Sequence, residues 1–323
     1  MGSLLNYIVR RALFAIPVFL AVSILTFLIT NAAGNPVDIV KFGSRHVTPA
    51  QLQTLQDYFH VNEPVYIRYF YWLGDFLHGN LGQSLYTGSV AALIVPWIGT
   101  TLELQIPSLL LALGIGIPIG IYSAKHQYAK SDYAVTTTAI FGISMPTFWI
   151  GIMCIILFSY DLHWLPAFGA LSAYPPYWWG NPIFDRLAHL ILPLAVLTFV
   201  SIATITRLMR ANMLEVLRQD YILAARASGL SDRKVTYKHA LKNAITPIVT
   251  IVGLSFGAAL GGAPALETTF SWPGLGFAFV YAAQRLDLPT VLGITMIITI
   301  MVLIANLATD LAYAFLDPRV RIA

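Results

Sequence analysis

Six stretches of this chain are apolar over the length needed to cross a bilayer, about 20 residues each. They run Ala12–Thr30, Thr101–Ala124, Tyr133–Tyr160, Leu187–Met209, Ala244–Leu266 and Thr290–Phe315. Each predicts a membrane-spanning helix. Gly142 to Pro146 lies in the third run, Pro193 in the fourth, and Gly261-Gly262-Ala263-Pro264 ends the fifth.

Two stretches between the runs carry readable helix signals, and the first is too long to be a bare connector. The first covers residues 34–98. In it, Thr48-Pro49-Ala50-Gln51 has the form of a helix start, with a threonine cap, proline at the first helical position and glutamine as capping-box partner. Pro64 to His78 reads as a second helix carrying Tyr66, Tyr69, Phe70, Trp72, Leu73 and Phe76. Aromatics at that density suit either the membrane interface or a packed cap.

The second stretch covers residues 211–243. Asp220 is placed to cap a short helix through Ser228 that is rich in Ala224, Ala225 and Ala227. Gly229 sits where a left-handed residue would end that helix, a conformation costing other residues roughly 1 kcal/mol or more. Ser231 is placed to cap a following helix with Asp232 in its first turn, and that helix carries Arg233, Lys234, Lys238 and Lys242. Two short helices around a glycine turn, with small side chains on the first, form a knob that another protein can approach closely.

Composition agrees with the run pattern. Charged residues make up 11% of the 323 and mean hydropathy is +0.71, whereas soluble domains carry about 25% charge. The net charge of +4 is modest, but its placement is informative. With the N-terminus inside, fourteen of the 19 lysines and arginines fall on the inner side. They are Arg10, Arg11, Lys125, Lys130, Arg207, Arg210, Arg218, Arg226, Arg233, Lys234, Lys238, Lys242, Arg319 and Arg321. Lys41, Arg45, Arg68, Arg186 and Arg285 fall outside. That asymmetry puts both termini and the knob in the cytoplasm. Arg10-Arg11 before an apolar run has the look of a signal peptide, but without a convincing small-residue cleavage site it reads as a retained anchor. The lone Cys154 excludes an internal disulfide and reads as a small buried or lipid-facing side chain. No GxxxxGK[ST] phosphate loop occurs, so a nucleotide driving this protein is bound by another chain.

Ala224-Ala225-x-x-x-Gly229, followed by a basic helix and a span containing Pro247, resembles the EAA loop of ABC importer permeases. The wording YILAARASGLSDRKVTYKHALKNAITPIV is similar to the dipeptide/oligopeptide/nickel permease family, and to its first permease subunit in particular. NEPVYIRYFYWLGDFLHGNLGQS, ETTFSWPGLG and the Asp317-Pro318-Arg319-Val320-Arg321 tail resemble the same family, in the family's order. Leu223 stands where the family has an acidic residue, which removes a salt bridge at that point.

The resemblance implies an all-α integral membrane protein of the type I ABC importer permease fold, with six transmembrane helices. It implies an N-terminal helix over 1–33, an external helical domain over 34–98 beneath the substrate-binding protein, and a five-helix core over 99–323. It assigns ATPase coupling to Tyr221, Leu223, Ala224, Ala225, Arg226, Ala227, Gly229 and Leu230. The outer end of the translocation path falls to Glu267, Phe270, Trp272, Pro273, Gly274 and Gly276. It implies a second homologous permease, two ATPase subunits or domains holding ATP and Mg, an external binding protein and the lipid of a prokaryotic inner membrane. No cofactor, metal, catalytic residue or nucleic acid is expected on this chain. The expected cargo is peptide, with nickel chelates, glutathione-like compounds and oligosaccharides as alternatives for the same architecture.

Readings from other classes are weaker. An ion-driven carrier normally shows ionisable residues in mid-span, and this chain has few. Gly142-Ile143-Ser144-Met145-Pro146 departs from the G-x-S-x-G of hydrolases and has no partner histidine at a telling spacing. His189, alone in the fourth run, suits a hydrogen bond within the bundle better than a metal. Gly114, Gly116 and Gly120 suit close helix packing, with pore lining as the alternative. Glu267, costly in lipid, should face a partner or water. Asp310, near the inner boundary, should cap or pair.

Overall fold

The structure is a computed structural model that describes residues 2–43, 48–175 and 178–316. Arg45, Pro176-Tyr177 and the expected tail from Asp317 to Arg321 lie outside the described residues. Among the described residues the regular structure is helical apart from one small hairpin, and the chain folds as two units.

The first unit comprises Met1–Thr101, Leu260–Pro264 and Pro273–Ala323. Helix α1 spans Gly2–Ala33, α2 Pro36–Gly43, α3 Pro49–Tyr58 and α4 Val65–Leu77. The expected capping box forms: Gln51 N–H donates to Thr48 Oγ1 at 3.3 Å, and Thr48 N–H to Gln51 Oε1 at 2.9 Å. Helix α4 lays its aromatic side on α1, with Tyr69 and Trp72 against Phe27, and Phe76 against Phe19. Strands β1 (Gln83–Ser84) and β2 (Gly88–Ser89) form an antiparallel hairpin leading into α5, Val90–Lys125.

Helices α14 (Leu275–Gln284) and α15 (Leu288–Leu316) complete this unit. Asp287 ties its pieces together: one carboxylate oxygen accepts from Ser84 Oγ (2.5 Å) and Thr290 Oγ1 (2.7 Å), the other from Leu85 N–H (3.1 Å). At the other end of α15, Arg11 pairs with Asp310 at 3.3 Å; of the two roles expected for that carboxylate, capping or pairing, it takes the second.

The second unit comprises Leu102–Ala259 and Ala265–Trp272. Helix α6 (Lys130–Ser144) meets α7 (Thr147–Cys154) at a bend of 101°, and α7 continues as π-helix over Ile155–Asp161. Pro146 accounts for the bend, because a proline disfavours helical backbone in the residue before it, and Met145 is extended. Helix α8, Pro182–Leu217, runs through the middle of the unit and packs on both arms of that pair. Its start is set by Asn181, whose side chain accepts from Ile183 and Phe184 N–H, and by Pro182 at the first helical position. Buried Asp185 accepts from Ser172 and Trp178 N–H, and His189 Nδ1 lies 2.8 Å from the Asp185 carbonyl, a bond inside the bundle as expected.

Glycines decide where α5 approaches α8. A Cβ on Gly120 would lie 2.6 Å from Met209 Cβ, and one on Gly116 3.0 Å from Ile205 Cγ2, whereas Gly114 faces open space. Two of the three glycines are therefore packing positions.

Among the described residues, four helical stretches are long and apolar enough to span a membrane: Val9–Lys41, which takes in most of α1 and α2, then Val90–Lys125, Pro182–Leu217 and Leu288–Leu311, with the bent α6–α7 pair as a fifth. The run expected as a continuous fifth span, Ala244–Leu266, is instead divided into α12 (Thr246–Ala259) and α13 (Pro264–Thr269). Gly262, at φ +85°, and Pro264 break it: the glycine turns left-handed and the proline offers no N–H to continue the ladder.

Candidate functional site

The knob lies wholly in the second unit. Helix α9 spans Asp220–Ala227. Gln219, not Asp220, holds the cap position, and Asp220 becomes the first helical residue, where its charge still suits the helix N-terminus. At the other end Gly229 N–H donates to Arg226 O (3.0 Å) and Leu230 N–H to Ala225 O (3.4 Å). Those two bonds are the Schellman pattern, and they require the left-handed φ of +77° found at Gly229. Helix α10 (Asp232–Lys234) follows a Ser231 whose backbone is extended but whose hydroxyl caps nothing. The chain continues through a π-helical turn, Val235–Ala240, into α11 (Leu241–Ala244).

What fixes α9 is one residue outside the motif. Ile222 is fully buried in a cluster with Met209, Met213, Val235, Ala240, Ala244 and Ile248, and Ala225 packs beside it. Residues three apart share a helix face, so 222 and 225 point inward together. Tyr221 (42% exposed), Leu223 (54%), Ala224 and Ala227 are then left on the outer face. Burying an isoleucine contributes roughly 1.5–3 kcal/mol, which anchors the knob on its own bundle. The two adjacent alanines thus differ: Ala224 is exposed, whereas Ala225 is half-buried against the protein's own core.

Polar bonds brace the same end. Asn243 Nδ2 donates to the Tyr221 hydroxyl (2.7 Å), and Lys125 pairs with Asp232 at 2.6 Å. The Lys125 ammonium holds the Asp232 carboxyl below the usual carboxylate range. Arg226 lies 3.8 Å from the same carboxylate. Closer to the bundle axis, buried Asp132 takes Nε and Nη2 of Arg210 at 2.6 and 2.8 Å, the Tyr128 N–H at 2.9 Å, and the Ser123 hydroxyl. One carboxylate thus joins the end of α5, the following turn, α6 and α8. Along the sequence Arg210 registers only as a positive charge, and nothing local singles out Asp132. Two opposite charges at the same expected membrane boundary are the one signal that links them.

The ETTFSWPGLG residues divide between the units. Glu267, Phe270 and Trp272, in the second, are buried. The Glu267 carbonyl accepts from Trp272 N–H (2.8 Å), the Phe270 carbonyl accepts from Gly169 N–H (2.8 Å), and the Arg186 guanidinium, paired with Glu103, lies over the Trp272 ring. Gly151 faces the Phe270 ring so closely that a Cβ there would sit 3.0 Å from Cε2. Pro273, Gly274 and Gly276 belong to the first unit, where Thr101 Oγ1 accepts from Leu275 N–H at 2.8 Å.

A bundle of long apolar helices carrying a braced, outward-facing knob is matched by comparison. Residues 116–322 match the model of the binding-protein-dependent transport system inner membrane component, and residues 4–101 match the N-terminal model of such membrane components. This chain belongs to that family. It is a permease of the binding-protein-dependent type. The oligopeptide transport system permease protein AppB of Bacillus subtilis (strain 168) is 39% identical over 317 residues, 97% of this chain and 98% of that protein. The dipeptide transport system permease protein DppB of Escherichia coli (strain K12) is 36% identical over 98% of this chain and 99% of its own length. In fold, the permease is similar to a chain of the inward-facing MetNI methionine ABC transporter, with a TM-score of 0.56 and 17% identity. That likeness covers 70% of this chain and 96% of the other.

Proposed function

We infer that this permease is one membrane subunit of an ATP-driven, binding-protein-dependent importer of di- or oligopeptides, and that it performs no chemistry itself. Full-length similarity to proteins named as oligopeptide and dipeptide permeases supports the cargo class. The observation that carries the mechanism is the knob: an outer face of Tyr221, Leu223, Ala224 and Ala227 over a helix anchored by buried Ile222. Exposed apolar and small side chains on a rigid base suit a protein contact that must transmit force.

In this reading ATP and Mg are held by two ATPase subunits or domains on the cytoplasmic side, a second homologous permease completes the path, and an external binding protein delivers peptide. Arg226, Gly229 and Leu230 belong to the coupling surface with the α9 residues. ATP-driven closure of the ATPases displaces α9 and α10, and their rigid base passes the motion to α8 and α5. The bundle alternates between outward and inward access. The lysine and arginine asymmetry supports a cytoplasmic location for both termini and the knob, with residues 34–98 outside. The ETTFSWPGLG residues stand at the outer end of the path.

The test is substitution on the outer face. Leu223→Asp and Ala224→Asp leave the buried face of α9 untouched, so the protein should reach the membrane and melt normally. ATPase retention in pull-down and peptide uptake should both fall. Leu223→Asp moves this position towards the acidic residue of the wider family, so a mild effect there and a strong one at Ala224 also fits. Normal uptake and retention in both variants would refute coupling through this segment.

A further inference from the structure

At one end of the first unit lies a cavity of about 100 Å³ that transport through the bundle leaves unexplained. Its lining includes Arg68, Tyr71 and Trp72 of α4, Tyr58, His60 and Asn31. The cavity reaches the last residues of the α1 apolar run at Phe27 and Thr30, and the first of the α15 run at Leu288 and Leu292. Those positions set its depth. It sits where the hydrocarbon of a bilayer gives way to headgroups.

Arg68 is out of place there on structural grounds alone. Its Nε is buried and has no hydrogen-bond partner, and no carboxylate among the described residues pairs with the guanidinium. Burial lowers its pKa, with no neighbouring charge restoring it. Arg11, Arg186 and Arg210, by contrast, each hold a carboxylate. A buried guanidinium donor left unsatisfied costs free energy that an anionic oxygen would recover. Around it stand the Tyr58 hydroxyl, the Asn31 amide and the rings of Tyr71 and Trp72, while the Thr30 hydroxyl is spent on the Thr26 and Phe27 carbonyls of α1. The Asp75 carboxylate also lines the wall without pairing with Arg68, so an anionic group must seat on the Arg68 side of the cavity. Exposed Tyr66 and Phe70 lie on the same helix, α4, and exposed Ile24 and Leu28 on α1, giving apolar surface of the kind acyl chains cover.

We propose that this cavity binds a phosphate group through Arg68, the group being carried by a membrane phospholipid. A guanidinium offers phosphate a planar pair of donors, and the depth and the apolar flank favour the lipid source over free phosphate.

The experiment uses the purified full importer complex in detergent. Binding is read by thermal stabilisation with a short-chain phosphatidylglycerol and, separately, with inorganic phosphate, for wild type, Arg68→Gln and Arg68→Lys. Co-purified phospholipid phosphorus per complex is measured for all three. Wild type should be stabilised by the lipid. Arg68→Gln should bind it roughly tenfold to hundredfold more weakly, as expected for losing a charged hydrogen bond, with Arg68→Lys between. Loss of tightly held phospholipid phosphorus in Arg68→Gln should accompany this. Stabilisation by inorganic phosphate as strong as by lipid would keep the site and reassign its source. No stabilisation of wild type by either would overturn the proposal, whatever the variants do. So would equal lipid binding by wild type and a folded Arg68→Gln.

Discussion

Arg210 and Asp132 meet in a two-pronged ion pair, Nε and Nη2 reaching the two carboxylate oxygens at 2.6 and 2.8 Å from 78 residues away in sequence. Asp132 retains 2% of its exposure, so the pair is nearly dry on one side. It binds α8 to α6, and Met209 and Met213 of the same stretch of α8 belong to the cluster that buries Ile222 of the knob. A displacement of α9 that carries α8 with it must carry α6 as well or break this bond.

Removing one member should leave the other as an uncompensated charge, at a cost of about 3 kcal/mol. Asp132→Asn and Arg210→Gln should each lower the melting temperature of the complex. Asp132→Asn/Arg210→Gln together should cost clearly less than the sum, because neither charge is then orphaned. Strict additivity in that double-mutant cycle would show that the two residues act separately.

Gly229 holds φ at +77° with nothing within 4 Å of where a Cβ would stand, so the constraint is conformational and not steric crowding by neighbours. Gly229→Ala should cost roughly 1 kcal/mol, Gly229→Asn less because asparagine tolerates the left-handed region, and Gly229→Val more. Uptake assays across the three should follow that order. Equal activity for asparagine and valine would mean that the turn geometry does not matter to transport.

The glycines of α5 offer a paired comparison. Gly120→Ala drives a methyl into Met209 and the Thr206 carbonyl, 2.6 and 2.8 Å away, and should destabilise by about 1–3 kcal/mol. Gly114→Ala enters open space and should be neutral or stabilising by up to about 1 kcal/mol, since it only removes a flexible residue from a helix. Thermal melts of the two variants decide the point; similar melts would mean that α5 and α8 are not so closely apposed.

The Lys125–Asp232 pair gives a pH dependence with a definite sign. Its carboxyl is held below the ordinary range in the folded state, so the stabilisation is complete above the unfolded carboxylate pKa and is lost as pH falls through the lower folded value. Both side chains are substantially exposed, 32% and 56%, so the effect is about 0.2–1 kcal/mol and salt-sensitive. Asp232→Asn should therefore melt slightly below wild type at neutral and mildly acid pH, and the difference should vanish only under strongly acid conditions. A difference that grew on acidification would reverse the assignment.

Much of this protein could be read along the chain because the deciding physics is local. Apolar run length set four helices and a bent pair, since an unsatisfied backbone in lipid leaves few alternatives to a helix. Thr48 with Gln51, and Gly229, each fixed a helix end through bonds spanning three to five residues. The knob was legible for the same reason. What the sequence left open was rotation about each helix axis and the pairing of distant elements. Only packing turned Ile222 and Ala225 inward and Ala224 outward, although the two alanines are adjacent and identical. Packing also placed Gly116 and Gly120 against α8 while Gly114 faced open space, and brought Asp132 to Arg210. It settled that the run from Ala244 to Leu266 is two helices, because a left-handed glycine and a proline outweighed an apolar pattern that alone favoured one. Those outcomes depend on which side of a helix finds a complementary surface, and that surface is supplied by residues far away in the chain.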